Sequence, residues 1–177
     1  MSISRRIALT GLASLLLTAC VGGGANFTTE YDPLGPDATR AWRLAEVRVS
    51  VPNSLTVSEA ETLLPNADIV WREDPAGDRH AQVATIMKNA ITQGAQGLRG
   101  SRRVIIDVTV TRFHALTFRA EQSEADWGVH NIRFTARVLD AATGEVLVGP
   151  VDIRAELPAL SGKAMREARA KGQTQKK

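Results

Sequence analysis

The chain has 177 residues, room for one domain, with 22 basic and 19 acidic side chains and a formal net charge of +3. A single cysteine excludes an internal disulfide, and the low aromatic content gives little to stack on nucleic-acid bases. The charge is uneven: residues 163–177 hold six basic side chains against Glu167, a net of +5, so the basicity belongs to the carboxyl end and the body is acidic. Nucleic acid is therefore not an expected partner.

At the amino end Arg5 and Arg6 precede an apolar run from Ile7 to Leu17, eleven residues long. That is shorter than the roughly twenty needed to span a bilayer and fits the core of an export signal. Thr18 and Ala19 are small, and Leu17-Thr18-Ala19-Cys20 resembles the lipobox of bacterial lipoproteins. The resemblance implies cleavage between Ala19 and Cys20, a diacylglycerol thioether on Cys20, and attachment to a membrane leaflet at the periplasmic face. Each buried CH₂ contributes about 0.8 kcal/mol, so two or more chains anchor stably. Val21, where Asp would imply inner-membrane retention, points to the outer membrane. Ser4-Arg5-Arg6 matches a twin-arginine signal only in part, and the Sec route is expected. Processing leaves 158 residues without a free thiol, which removes thiol catalysis from consideration.

Residues 20–41 run Val-Gly-Gly-Gly after Cys20 and carry Pro33, Gly35 and Pro36 without periodicity, and are expected to be a lipidated flexible tether. Val47, Val49 and Val51 alternate with polar residues, predicting a strand that Pro52 stops. Thr56, Ser58, Glu59 and Glu61 carry capping-box spacings, predicting a short helix through Leu63 and Leu64 that ends at Pro65. Its carboxylates then lie in a helix's first turn, where the dipole favours them. Ile69-Val70-Trp71 predicts a short strand and Asp74-Pro75-Ala76-Gly77 a turn.

Asp78 is an N-cap for the main helix, in which Val83, Ile86, Met87, Ala90 and Ile91 form one apolar stripe. Gly94, Gly97 and Gly100 close it. Val104, Ile106, Val108 and Val110 predict a strong strand that Phe113–Arg119 extends, followed by a polar loop from Glu121 to Asp126. Ile132, Phe134, Ala136 and Val138 predict the next strand, Asp140 to Gly144 a hairpin turn, and Val146 to Ala155 the last strand, with Pro150 at an edge or bulge. Arg133 and Arg137 fall on the polar face, which is expected to be solvated. The order β-α-β-α-β-β-β predicts an α+β two-layer sandwich over 42–160, its sheet mixed or mostly antiparallel and its helices on one face. Residues 161–177 are expected to form a basic tail, solvated or touching anionic surfaces.

Val49-Ser50-Val51-Pro52, Ile69-Val70-Trp71-Arg72, the helix over 79–96, the strand Val104 to Phe113 and the strand-turn-strand from Phe134 to Val148 together resemble auxiliary lipoproteins of ABC-type and lipid-transport systems in the bacterial envelope. The resemblance spans roughly 45–155 and extends to uncharacterised lipoproteins of alphaproteobacteria. It departs at Arg79 and His80, where that family often has Trp. It implies a non-enzymatic accessory role with an envelope protein partner, and brings no catalytic residues.

His80, His114 and His130 lack metal-ligand spacing, although His114 and His130 could approach each other across neighbouring strands near Asp126. No metal or other cofactor is expected. Ser101 or Ser123 completes a Ser-His-Asp set on paper without a nucleophile elbow. The spaced glycines after the main helix reverse the strand-loop-helix order of a phosphate loop and lack its Lys-Ser/Thr. Trp42, Trp71 and Trp127 suit core packing, and Trp127, beside the polar loop, is the candidate partner surface. The expectation is a lipid-anchored, non-catalytic envelope module. A carrier of a small apolar ligand between helix and sheet is the alternative, and a hydrolase the third reading.

Overall fold

The computed structural model describes residues 29–30, 34, 39–124 and 128–176. The proposed cleavage and lipidation residues Ala19 and Cys20, and the candidate surface residue Trp127, lie outside them. The described residues form an α+β fold: one open, mixed sheet of six strands with three helices. The strands are β1 (Thr29–Glu30), β2 (Trp42–Ser50), β3 (Ile69–Val70), β4 (Arg102–His114), β5 (Val129–Asp140) and β6 (Val146–Pro158). The helices are α1 (Arg79–Gly94), α2 (Phe118–Gln122) and α3 (Gly162–Ala170). The sheet runs β1-β6-β5-β4-β2, with β3 pairing the far end of β4. Strands β2 and β3 lie parallel to β4; the other pairs are antiparallel. A parallel neighbour needs a crossover, and α1 supplies it.

The alternating valines of β4 and the stripe of α1 meet in one core of Ile69, Trp71, Val83, Met87, Val108, Val110, Phe113 and Ala115, and Val49 of β2 packs against it. Trp71 meets Phe113 edge to face, at 5.7 Å between ring centroids and 82° between planes. Asp78 caps α1 as expected, its side chain accepting from Ala81 N at 3.1 Å. The buried stripe is narrower than the periodicity suggests, because Ala90 is exposed. The chain leaves α1 through a single 3₁₀ turn, Ala95–Gly97. Gly100 then donates to Trp42 O at 2.6 Å, and a Cβ built there would lie 2.0 Å from the Ala41 carbonyl carbon. Close backbone approach is the role of this glycine.

The predicted helix over 58–64 is absent. Thr56 and Asp68 fold that segment back on itself: Asp68 Oδ2 accepts from Thr56 N at 2.8 Å and from its hydroxyl at 2.7 Å. A parallel bridge joins Val57 to Ile69. Glu59 and Glu61 then serve the guanidiniums of Arg72 and Arg79 instead of a helix terminus. The predicted extension of β4 to Arg119 is also replaced. The strand ends at His114, and Thr117 caps α2 by accepting from Ala120 N at 3.1 Å.

The described parts of two segments expected to be free join the domain. Thr29 and Glu30, within the predicted tether, form β1 and pair with Ala155 and Arg154. The basic tail forms α3, where Met165 and Ala168 give a short apolar stripe and both are buried. Arg169 then reaches Glu73 and Glu121 with four hydrogen bonds of 2.5–3.1 Å. Gln175 bonds Glu121 and the Leu116 carbonyl, and Lys176 pairs with Asp74 beside the Trp71 ring. Periodicity missed α3 because charged residues surround Met165 and Ala168.

The β5–β6 hairpin closes as predicted. Asp140 Oδ1 accepts from Ala142 N at 2.8 Å and Thr143 N at 3.0 Å, and Gly144 takes the left-handed conformation, φ 75°. Arg102 Nε adds a bond of 2.8 Å to Asp140 Oδ2, and the carboxyl pKa is held down to about 2. The Arg102 bond is the main cause and the turn amides the next. Pro150 stands at an irregularity between Ala136 and Val138, so the bulge alternative holds.

Candidate functional site on the open face of the sheet

The sheet face away from the core is built by cross-strand register. Asp107 faces Arg137, Thr109 faces Thr135, Arg112 faces Arg133, and His114 faces Asn131. On the other side Arg133 faces Arg154, Asn131 faces Glu156, and Arg154 faces Glu30 of β1. Directly paired residues share a face. Arg112, Arg133 and Arg154 therefore form one row across three strands. Neighbouring strands are about 4.8 Å apart, so the row is about 10 Å long.

A bulge places Arg112 there. Strict alternation from Val104, Ile106, Val108 and Val110 assigns residue 112 to the core and residue 113 to the open face. The register slips by one between Val110 and Arg112, so Phe113 turns into the core and Arg112 turns out beside Arg133. Sequence reading identified Arg133 and missed the row, because a bulge at Thr111 leaves no compositional mark.

The arginines of this face are not equivalent. Arg137 is paired, its Nε 2.7 Å from Asp107 Oδ2. Among the described residues neither Arg133 nor Arg154 has a side-chain hydrogen bond or ion pair. Arg112 Nη2 donates to His114 Nδ1 at 3.0 Å, while its Nε is shielded from solvent and unpartnered. Asn131 Oδ1 is also buried without a donor. A cleft of about 120 Å³ is lined by Glu30, Asn131, Arg133, Arg154 and Glu156.

Electrostatics follow from this crowding. Burial, then the charge of Arg133, lowers the Arg112 pKa, and Asp68 partly opposes both. Burial also lowers the pKa of His114, favouring its neutral form. That ring then accepts from Arg112 at Nδ1 and donates from Nε2 to the Ala67 carbonyl. Asp68 is held below its ordinary value first by the Thr56 backbone N–H, then by the Thr56 hydroxyl.

The remaining sequence candidates separate. His130 faces Leu157 while its neighbour Asn131 faces His114, so the two histidines point to opposite faces and do not converge. His80 lies on α1 with Nε2 3.1 Å from the Leu55 carbonyl. Among the described residues no three His, Cys, Asp or Glu side chains group as metal ligands. Ser101 precedes β4 and His114 ends it, about 40 Å apart by strand rise. Trp42 and Trp71 are core residues. Ile69, Trp71, Val83, Met87, Val108 and Val110 pack together in one buried cluster. No described helix is long and apolar enough to cross a membrane.

A family model described as a family of unknown function, DUF6778, matches residues 42–177. The chain belongs to this family. The match begins at the first residue of β2 and runs through α3, so the carboxyl segment is part of the family domain. No curated protein matches the chain. Among solved structures the chain is similar to the dodecamer of a PelC point variant from Paraburkholderia phytofirmans. Identity is 11%, 82% of this chain and 90% of that chain are covered, and the TM-score is 0.34. A second PelC dodecamer from the same organism is 13% identical over 82% and 91% of the two chains, also at a TM-score of 0.34.

Proposed function

We propose that this protein is a lipid-anchored lipoprotein of the bacterial envelope, held at the periplasmic face, with the outer membrane as its site. It acts there as a non-catalytic binding module of a transport or assembly complex. The observation that carries the reading is Leu17-Thr18-Ala19-Cys20, a lipobox behind an apolar run too short to span a bilayer. Its relation to the fold adds support. Only eight residues separate Cys20 from β1, so the lead from an acylated Cys20 to the sheet is at most about 32 Å. The folded body would be held close to the leaflet.

Substitution Cys20→Ser tests the reading in the native host. The expected result is transfer of the protein from the membrane to the soluble fraction, with loss of labelled fatty-acid incorporation. Retention in the membrane without label would refute it. Crosslinking in the intact envelope, followed by mass spectrometry, tests the binding role. One or a few envelope proteins should be enriched over bulk neighbours, and enrichment of none counts against a partner.

A further inference from the structure

We propose that the row Arg112, Arg133 and Arg154 binds phosphate groups of anionic phospholipids in the leaflet that carries the anchor. The inference rests on the lipid-anchor reading for its choice of ligand.

Register alone opposes three like charges across adjacent strands, an arrangement that destabilises a sheet unless a counter-charge is present. Elsewhere on the face Asp107 supplies that counter-charge to Arg137. The described surroundings of Arg133 and Arg154 supply none in contact, although Glu30 and Glu156 border the cleft. Arg112 Nε is a buried donor with no acceptor. A phosphate group brings several acceptors and matches the guanidinium fork, which binds it bidentately. Seated on the row, it would relieve both repulsions.

Position selects the source of the phosphate. Glu30, which ends the row, belongs to β1, the described strand nearest in sequence to Cys20. Four of the five described cations of the carboxyl segment have an acidic partner, Lys171 being the exception. Arg166 pairs with Glu124, Arg169 with Glu73 and Glu121, Lys176 with Asp74, and Lys163 with Glu167. Arg133 and Arg154, by contrast, have no acidic partner in contact among the described residues, and β6 pairs with the strand that lies nearest in sequence to the anchor.

The test uses the chain from residue 20 with Cys20→Ser, which keeps every described residue and removes the acylated thiol. It is sedimented with vesicles of phosphatidylcholine, with or without phosphatidylglycerol. The expected result is binding to the anionic vesicles alone. The double variant Arg133→Ala/Arg154→Ala should weaken it about 25-fold, taking about fivefold for each basic side chain near an anionic surface. Its thermal midpoint should stay level or rise, because a like-charge contact is lost. Arg137→Ala and Lys171→Ala should bind as the parent does. Equal binding to both vesicle types, or an equal loss with Lys171→Ala, overturns the proposal. So does saturable binding of inorganic phosphate at the row without vesicle binding. The tested chain cannot be acylated, so failure here leaves the anchor reading standing, and failed acylation in cells leaves this result unchanged.

Discussion

Replacing Arg169 by Ala should unfold the carboxyl segment's attachment and lower the stability of the whole domain. Arg169 is 33% exposed, but the Glu121 and Glu73 side chains that it joins are only 7% and 11% exposed. Glu121, then Glu73, hold the guanidinium pKa up, so the charge is fixed. Removing one partner of a buried pair costs about 3–5 kcal/mol, because the other charge stays buried. Partial exposure of Arg169 puts the expected loss at the lower end, about 3 kcal/mol. For a domain of this size that is about 6–12 °C in Tm. The assay is guanidinium unfolding followed by circular dichroism, with Arg166→Ala as the comparator on the same helix. Arg166 and Glu124 are both well exposed, and such a pair contributes about 0–1 kcal/mol. Arg169→Ala/Glu121→Gln should recover part of the loss, since one stranded carboxylate is gone. An Arg169→Ala loss no larger than that of Arg166→Ala would refute the reasoning.

Three further outcomes follow from particular contacts. Asp140 has its pKa lowered to about 2, so its contribution is present above the ordinary carboxylate value of about 4 and is lost as pH falls from about 4 through about 2. Asp140→Asn should be less stable than the parent at neutral pH and show a shallower acid limb, read from unfolding midpoints across that range. Gly100→Ala should destabilise by about 1–3 kcal/mol through overpacking against the Ala41 carbonyl, measured by denaturant unfolding; an unchanged midpoint would contradict the packing described. Trp71→Ala should cost about 3–5 kcal/mol, as it empties a fully buried site and removes the 2.7 Å bond to Asp74.

What sequence could and could not disclose divides along physical lines. Period-two alternation in β2, β4 and β5 and the stripe of α1 report burial directly, so the sheet, the main helix and the α+β class were legible. Asp78 and Asp140 were legible because a cap and a tight turn each need a short side chain accepting from nearby amides. The Thr56–Asp68 clasp is a contact over twelve residues, invisible to a local reading, and it overrides the capping signals at Ser58 and Glu59. Arg169 gives no sign in sequence that its partners lie 48 and 96 residues away. The arginine row needs both a bulge and a strand register, and alternation alone assigns Arg112 to the wrong face.

Cys20 is proposed to join this domain to a membrane. The most direct measurement is mass spectrometry of the amino-terminal peptide of the protein isolated from its native envelope. The expected product is a chain that starts at Cys20 and carries diacylglycerol on its sulfur. A chain that retains residues 1–19, or one with a free Cys20 thiol, would contradict it.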